Sequence, residues 1–176
     1  MSLSSDLLAQ ARFLVGSEPR RPKQASLRRA VSAAYYALFH LLTEDAARSM
    51  FGGADATSLR IAASRAFRHT TMKKAAKGFG AGNLPEPWRS LLAAPSPQLR
   101  SVAATFVDLQ QERHRADYDL GRPLTRTEAT DLVERVEAAV EEWRAIRRVD
   151  AGSRSYSAEA KVFLAALLLY DWVSGR

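Results

Sequence analysis

Residues 27–50, LRRAVSAAYYALFHLLTEDAARSM, are the part of the sequence that is most informative about the fold. Apolar residues recur in it at helical spacing, and the first stripe consists of Leu27, Val31, Ala34, Leu38 and Leu41. Tyr35 and Phe39 lie on a neighbouring stripe, and Tyr36 with His40 lies further round the helix. Only a helix that is buried on several sides, or that lies at a subunit interface, can hide all of these faces. The stretch therefore predicts the central helix of an all-α bundle.

Helical spacing continues along the chain, and no stretch alternates in the manner of a strand. Helices are predicted over residues 5–15, 26–50, 57–77, 97–118, 125–148 and 157–172, with a short helical turn at 91–92. The third of them is either continuous or bent or divided at Thr70–Thr71. Thr57 or Ser58, the Thr125–Glu128 capping box and Ser157 are the predicted N-terminal caps. Gly78, Gly80 and Gly82 are interpreted as a helix stop. Residues 149–156 form the only predicted linker, and they are too short to separate two domains.

The composition narrows the function classes. The chain has 176 residues, no cysteine and a formal net charge of +7, which favours acidic partners such as nucleic acid and excludes disulfides and thiol chemistry. Six basic residues and no acidic one lie between Ala56 and Pro85. The N-terminus lacks the pattern of a signal peptide, and the longest apolar run, at 162–170, is shorter than the roughly 20 residues of a membrane span. The sequence therefore predicts a cytoplasmic protein without a membrane contact.

A charged pair interrupts the apolar stripe of the helix over 97–118. Arg113 and Asp117 fall on the same narrow stripe as Val102, Phe106, Leu109 and Ala116. Their spacing of one helical turn lets the carboxylate accept hydrogen bonds from the guanidinium. Two interpretations stay open. The pair is either an ion pair that fixes helix packing, or an anion site in which Asp117 orients Arg113 towards a phosphate.

The three histidines give weaker signals. His114 lies one turn from Tyr118 and is a candidate acid or base, although a surface histidine between two arginines is more often only solvated. Tyr36 and His40 are either a packed aromatic pair or part of a site. His69 and Lys73 are either a phosphate contact or exposed to water. No histidine pair has the spacing of a metal motif, so no metal and no cofactor is predicted.

The stretches RRAVSAAYYALFHLL, at 28–42, and RHRADYD, at 113–119, resemble HEPN-domain proteins, in particular a bacterial branch of small stand-alone members. The resemblance covers about residues 5–148. It implies an antiparallel bundle of five to six helices that dimerises, so that residues 1–176 form a single HEPN-like domain. The helix within residues 143–176 is expected to pack on that bundle. Two polar motifs are expected to meet at the dimer cleft.

Many members of the HEPN family are metal-independent endoribonucleases, and several are toxins paired with a nucleotidyltransferase-fold antitoxin. Their motif is an arginine followed, after four to six residues, by a histidine. Arg113 matches the arginine, whereas His114 follows it at once and Asp117 stands four positions on. An ionised aspartate cannot donate a proton, so this departure favours a member that binds RNA or a nucleotide, or a non-catalytic dimeric scaffold. Catalysis by Arg113 and His114, or with an acid–base group such as His69, remains the alternative.

Overall fold

The computed structural model describes residues 2–18, 20–149 and 155–174. Its elements in chain order are α1 (Leu3–Gly16), α2 (Gln24–Met50), a 3₁₀ turn (Ala54–Ala56), α3 (Thr57–Ser64), α4 (His69–Ala81), α5 (Trp88–Leu91), α6 (Pro97–Tyr118), α7 (Arg126–Ile146) and α8 (Ala158–Val173). The fold is all-α, as predicted, with a bundle-like packing of helices. Most of the predicted linker, residues 150–154, lies outside the described residues. None of the described helices combines the length and the apolar character that crossing a membrane requires.

The chain divides into two compact units. Unit 1 comprises Met1–Leu41 and Thr105–Val140, and unit 2 comprises Leu42–Ala104 and Glu141–Arg176. Helices α2, α6 and α7 each contribute residues to both units.

Unit 1 is built around the first part of α2. Leu27, Val31, Ala34, Tyr35 and Leu38 are all fully buried there, which confirms the prediction for this helix. Phe106 of α6 packs against the ring of Tyr35, with 5.7 Å between the ring centroids. Later residues of α2 meet earlier residues of α6, so the two helices run antiparallel. The buried hydroxyl of Ser4 donates to the Ala37 carbonyl at 2.7 Å and ties α1 to the same helix.

Helix α7 begins with the predicted capping box. The Glu128 N–H donates to Thr125 Oγ1 at 3.2 Å, and the Thr125 N–H donates to Glu128 Oε2 at 2.8 Å. The backbone N–H of Thr125 is also the main reason that the pKa of Glu128 lies below its usual value. This confirms the sequence interpretation of residues 125–128. The predicted cap of α8 is confirmed as well, since Ser157 Oγ accepts from the Ala160 N–H at 3.2 Å.

The helix predicted over residues 57–77 is divided, but at residues 65–68 and not at Thr70–Thr71, and its predicted cap and stop also differ from the structure. The helix count is therefore higher than five to six. The predicted helix is divided into α3 and α4, because residues 65–68 turn and bury Phe67. A 3₁₀ turn precedes α3, so no side chain caps it. Gly78 and Gly80 lie inside α4 and do not stop it. A Cβ at Gly80 would lie 3.1 Å from the Ala104 backbone nitrogen, so this glycine permits close helix packing. Only Gly82, with φ +70°, ends the helix.

The C-terminal helix belongs to unit 2. Phe163 of α8 packs against Phe79 of α4, with ring centroids 5.0 Å apart, and also contacts the indole of Trp143. The indole N–H of Trp88 donates to Ser174 Oγ at 3.0 Å. The apolar run at 162–170 is thus core sequence of unit 2.

A buried carboxylate holds the centre of unit 2 together. Asp45, whose side chain is only 1% exposed, accepts three hydrogen bonds: from Trp143 Nε1 at 2.7 Å, from Arg147 Nη1 at 2.6 Å and from the Tyr156 hydroxyl at 2.7 Å. Burial, followed by the charge of Asp45, raises the pKa of Tyr156 and keeps its hydroxyl a donor. A buried charge is tolerated only when its oxygens are satisfied in this way.

We expect Asp45→Ala to lower the free energy of unfolding by about 3–5 kcal/mol, because it leaves a half-buried arginine and two buried donors without their acceptor. Chemical denaturation followed by circular dichroism measures this loss. Glu44→Ala is the matched control, since among the described residues the neighbouring Glu44 pairs with Arg48 alone, at the exposed surface. It should cost less than about 1 kcal/mol. Equal losses in the two variants would show that the network contributes nothing special.

Candidate functional site

The end of α6 in unit 1 carries the charged pair singled out by the sequence. Phe106, Leu109 and Ala116 are buried as the apolar stripe requires. The side chains of Arg113 and Asp117, which continue that stripe, are 20% and 29% exposed. Arg113 is therefore half-buried, and Asp117 is exposed as a whole residue although most of its side chain is covered.

The guanidinium of Arg113 is held on two sides. Its Nε donates to Asp117 Oδ2 at 2.9 Å, and its central carbon lies 5.4 Å from the ring centroid of Tyr36 and 5.8 Å from that of Tyr35. Both aromatic contacts are within the range of a cation–π interaction. Among the described residues, this hydrogen bond to Asp117 is the one that the guanidinium makes. Nη1 and Nη2 therefore keep donors that no described residue uses.

Asp117 is oriented by both helices. Its Oδ2 accepts from Arg113 of α6, while its Oδ1 accepts from the Ser32 hydroxyl of α2 at 2.7 Å. The carboxylate therefore has a donor on each oxygen. This fixes Arg113 and neutralises much of the charge that would repel an anion.

Tyr35 and Tyr36 play different parts beside Arg113. Tyr35 is fully buried, and burial raises the pKa of its hydroxyl although the nearby Arg113 acts in the opposite direction. It is a neutral aromatic wall and no acid or base near neutral pH. Tyr36 is only half-buried, and its ring meets that of His40 with 6.1 Å between centroids. His40 is thus connected to the arginine through one ring.

His114 and Tyr118 form a separate pair. Their ring centroids are 4.8 Å apart, His114 is exposed, and Tyr118 is 67% exposed. Consecutive helical residues point about 100° apart, so His114 does not share the face of Arg113. The structure therefore brings together Arg113, Asp117, Tyr36 and His40, with His114 and Tyr118 beside them on another face of α6.

His69 and Lys73 belong to α4 in unit 2, where both are half-buried. The basic segment around them has an acidic partner, since Asp171 accepts from Thr71 Oγ1 at 2.5 Å and from Lys74 Nζ at 2.8 Å. The hydrogen bond from Lys74 is the main cause that lowers the pKa of Asp171. The net positive charge of this segment is smaller than its sequence alone indicates.

Two residues of the site were not predicted from the sequence. Ser32 was overlooked as the partner of Asp117, although a serine in the apolar middle of a helix signals a buried hydrogen bond. Arg28 was overlooked as a helix cap. Its Nη1 donates to the carbonyls of Ala116 at 2.7 Å and Asp119 at 3.0 Å, and its Nη2 donates to that of Arg122 at 2.8 Å. A guanidinium thereby satisfies the open carbonyls at the end of α6.

No group of three or more potential metal ligands occurs in the part of the chain that the structure describes. Comparisons of the chain with models of protein families, with curated proteins and with solved structures find no match. The chemistry around Arg113 is therefore the basis for assigning a function.

We expect Arg28→Met to lower the free energy of unfolding by about 1–3 kcal/mol, because several carbonyls at the end of α6 lose a charged donor. Arg29→Met is the matched control: its side chain is exposed, and within the described residues it makes no hydrogen bond or ion pair. It should leave stability within about 0.5 kcal/mol of the wild type. Thermal unfolding measures both, and a control that is as unstable as Arg28→Met would contradict the capping role.

Proposed function

We propose that this chain is a HEPN-like protein that binds RNA or a nucleotide through a phosphate held by Arg113. The observation that carries the proposal is the anchored guanidinium, whose Nε donates to Asp117 while Nη1 and Nη2 make no hydrogen bond to a described residue. A planar fork of this kind matches two phosphate oxygens.

The surroundings of Arg113 support an anionic ligand. Asp117 is engaged on both oxygens, so it acts as the residue that positions Arg113 and not as a competing anion. The half-buried ring of Tyr36 lies beside the Arg113 guanidinium, and an aromatic ring is the kind of side chain on which a nucleobase stacks. The net charge of +7 adds long-range attraction for a polyanion.

The proposed function is binding, and cleavage of the bound RNA is a separate step. In the family's reaction the ribose 2′-hydroxyl loses its proton and attacks the neighbouring phosphorus. The bond from phosphorus to the 5′-oxygen breaks, that oxygen takes up a proton, and a 2′,3′-cyclic phosphate remains, while positively charged groups stabilise the charge that develops on the phosphate. In this chain no histidine follows Arg113 at the family's spacing, and Asp117 stands four positions on. Among the three histidines, His40 is the one whose ring contacts that of Tyr36. His40 and His114 are the positions to test for cleavage. The homodimer implied by the resemblance, and a nucleotidyltransferase-fold partner, are part of the same proposal.

A second candidate function has an observation of its own. The Ser32–Asp117–Arg113 hydrogen bonds join α2 to α6, and a purely structural role explains them without a ligand. In that case the chain is a non-catalytic dimeric interaction module, and removing Arg113 would change stability and assembly but no RNA binding.

We expect Arg113→Ala to weaken binding of a labelled single-stranded RNA by at least about tenfold, because a charge-assisted phosphate contact is lost. The slope of log K against log salt should also fall by roughly 0.7, the amount for one phosphate contact on a single strand. Fluorescence anisotropy over a salt series measures both. Arg115→Ala is the matched control, since Arg115 lies on the same helix but pairs with Glu112.

Circular dichroism has to show that both variants are folded, and light scattering gives their oligomeric state. Equal binding by the two variants would favour the interaction module. The same RNA, incubated with wild type, His40→Ala and His114→Ala, tests cleavage. Cleavage lost in one of these histidine variants would assign the proton transfer to it.

A further inference from the structure

A groove runs between α1 and α2 within unit 1. Its volume is about 380 Å³, and its walls are Leu7, Gln10 and Leu14 of α1 and Arg29, Ser32, Ala33 and Tyr36 of α2. The residues on each helix recur at intervals of three or four, so each wall is one helical face. The volume falls in the range of roughly 300–1,000 Å³ found for ligand sites.

The walls of the groove offer both apolar and charged surface. Leu7, Leu14 and Ala33 offer apolar surface, whereas Arg29 brings a positive charge that no described residue neutralises. Tyr36 adds an aromatic ring between these two kinds of surface. A ligand that fits must therefore combine a flat, largely apolar part with a negative charge.

The groove shares two residues with the Arg113 site. The Ser32 hydroxyl donates to Asp117, and the Tyr36 ring contacts the Arg113 guanidinium, while both residues also line the groove. A ligand part lying against Tyr36 in the groove is thus connected to the phosphate contact by a single side chain.

Another cavity of unit 1, of about 290 Å³, does not have this chemistry. Three of its arginines are already paired: Arg115 with Glu112, Arg122 with Glu128, and Arg135 with Asp108. Its fourth, Arg28, donates to backbone carbonyls. Because carboxylates and backbone carbonyls already engage its four arginines, this cavity is a poor site for an anion.

We infer that the groove between α1 and α2 binds the base and ribose of a nucleotide in single-stranded RNA, against Tyr36, while Arg113 holds one phosphate and Arg29 the next. The inference rests on the proposed function and adds the part of the ligand that the groove selects. Charge complementarity favours this occupant, because an apolar peptide segment would leave both guanidiniums without an anion. A paired base could not enter, since only an unstacked base exposes its faces to a side chain.

The test compares two probes: a short single-stranded RNA and an abasic oligonucleotide of the same length and backbone charge. Wild type should prefer the RNA about tenfold, because base stacking on an aromatic ring is lost in the abasic probe. Gln10→Trp fills the groove and should bring the two affinities together. Ala9→Trp is the matched control, since Ala9 is exposed on the same helix and does not line the groove. It should keep the preference.

Two further variants separate the base from the phosphates. Tyr36→Leu should remove the preference for the base, whereas Arg113→Ala should weaken both probes and keep their ratio. Arg29→Gln should lower the salt slope for both probes, and Arg21→Gln, an exposed position away from the groove, should not.

An unchanged or increased preference in folded Gln10→Trp and Tyr36→Leu would overturn the groove assignment. If Arg113→Ala still weakened both probes, the proposed function would stand without it. Wild type that binds neither probe would overturn both.

Discussion

The burial of α2 on several sides is the constraint on which the rest of the structure depends. Any polar side chain on such a helix must find a partner inside the protein, because an unsatisfied buried group costs about 1–3 kcal/mol. In unit 1 Ser32 meets this requirement by donating to Asp117. In unit 2 Asp45 meets the same requirement by accepting hydrogen bonds from Trp143, Arg147 and Tyr156. The partners that α2 requires therefore determine which side chains of the other helices face it.

Two arginines that contact α2 or lie on it, Arg28 and Arg113, differ in how their guanidinium groups are used. The guanidinium of Arg28 donates to carbonyls through both Nη1 and Nη2, and its role is to close the end of α6. The guanidinium of Arg113 uses Nε for Asp117 and rests on aromatic rings, which orient it without consuming its outer donors. Ordering a free arginine costs conformational entropy, and here that cost is met before any ligand arrives. Preorganisation of this kind is what the proposed binding role of Arg113 requires.

Local patterns predicted the elements well, and long-range contacts account for the errors. The bounds of α6 and the capping box of α7 follow from residues close in sequence, and both are confirmed. The division between α3 and α4 depends on burying Phe67, and the helical Gly80 depends on the nearby backbone of Ala104. Neither partner is visible within one helical window. For the site, helical spacing gave the pair Arg113–Asp117, but Ser32 lies 85 residues from Asp117. Only the tertiary fold reveals that contact.

The position of the histidines bears on what this site can do beyond binding. General acid–base catalysis needs a proton donor within hydrogen-bond reach of the reacting oxygen. His114 is adjacent to Arg113 in sequence, yet helix geometry turns it about 100° away. His40 lies on α2, and its ring meets the same tyrosine that supports the guanidinium. A cleavage step in this chain would thus take its proton donor from α2, and Asp117 would keep the role of positioning Arg113.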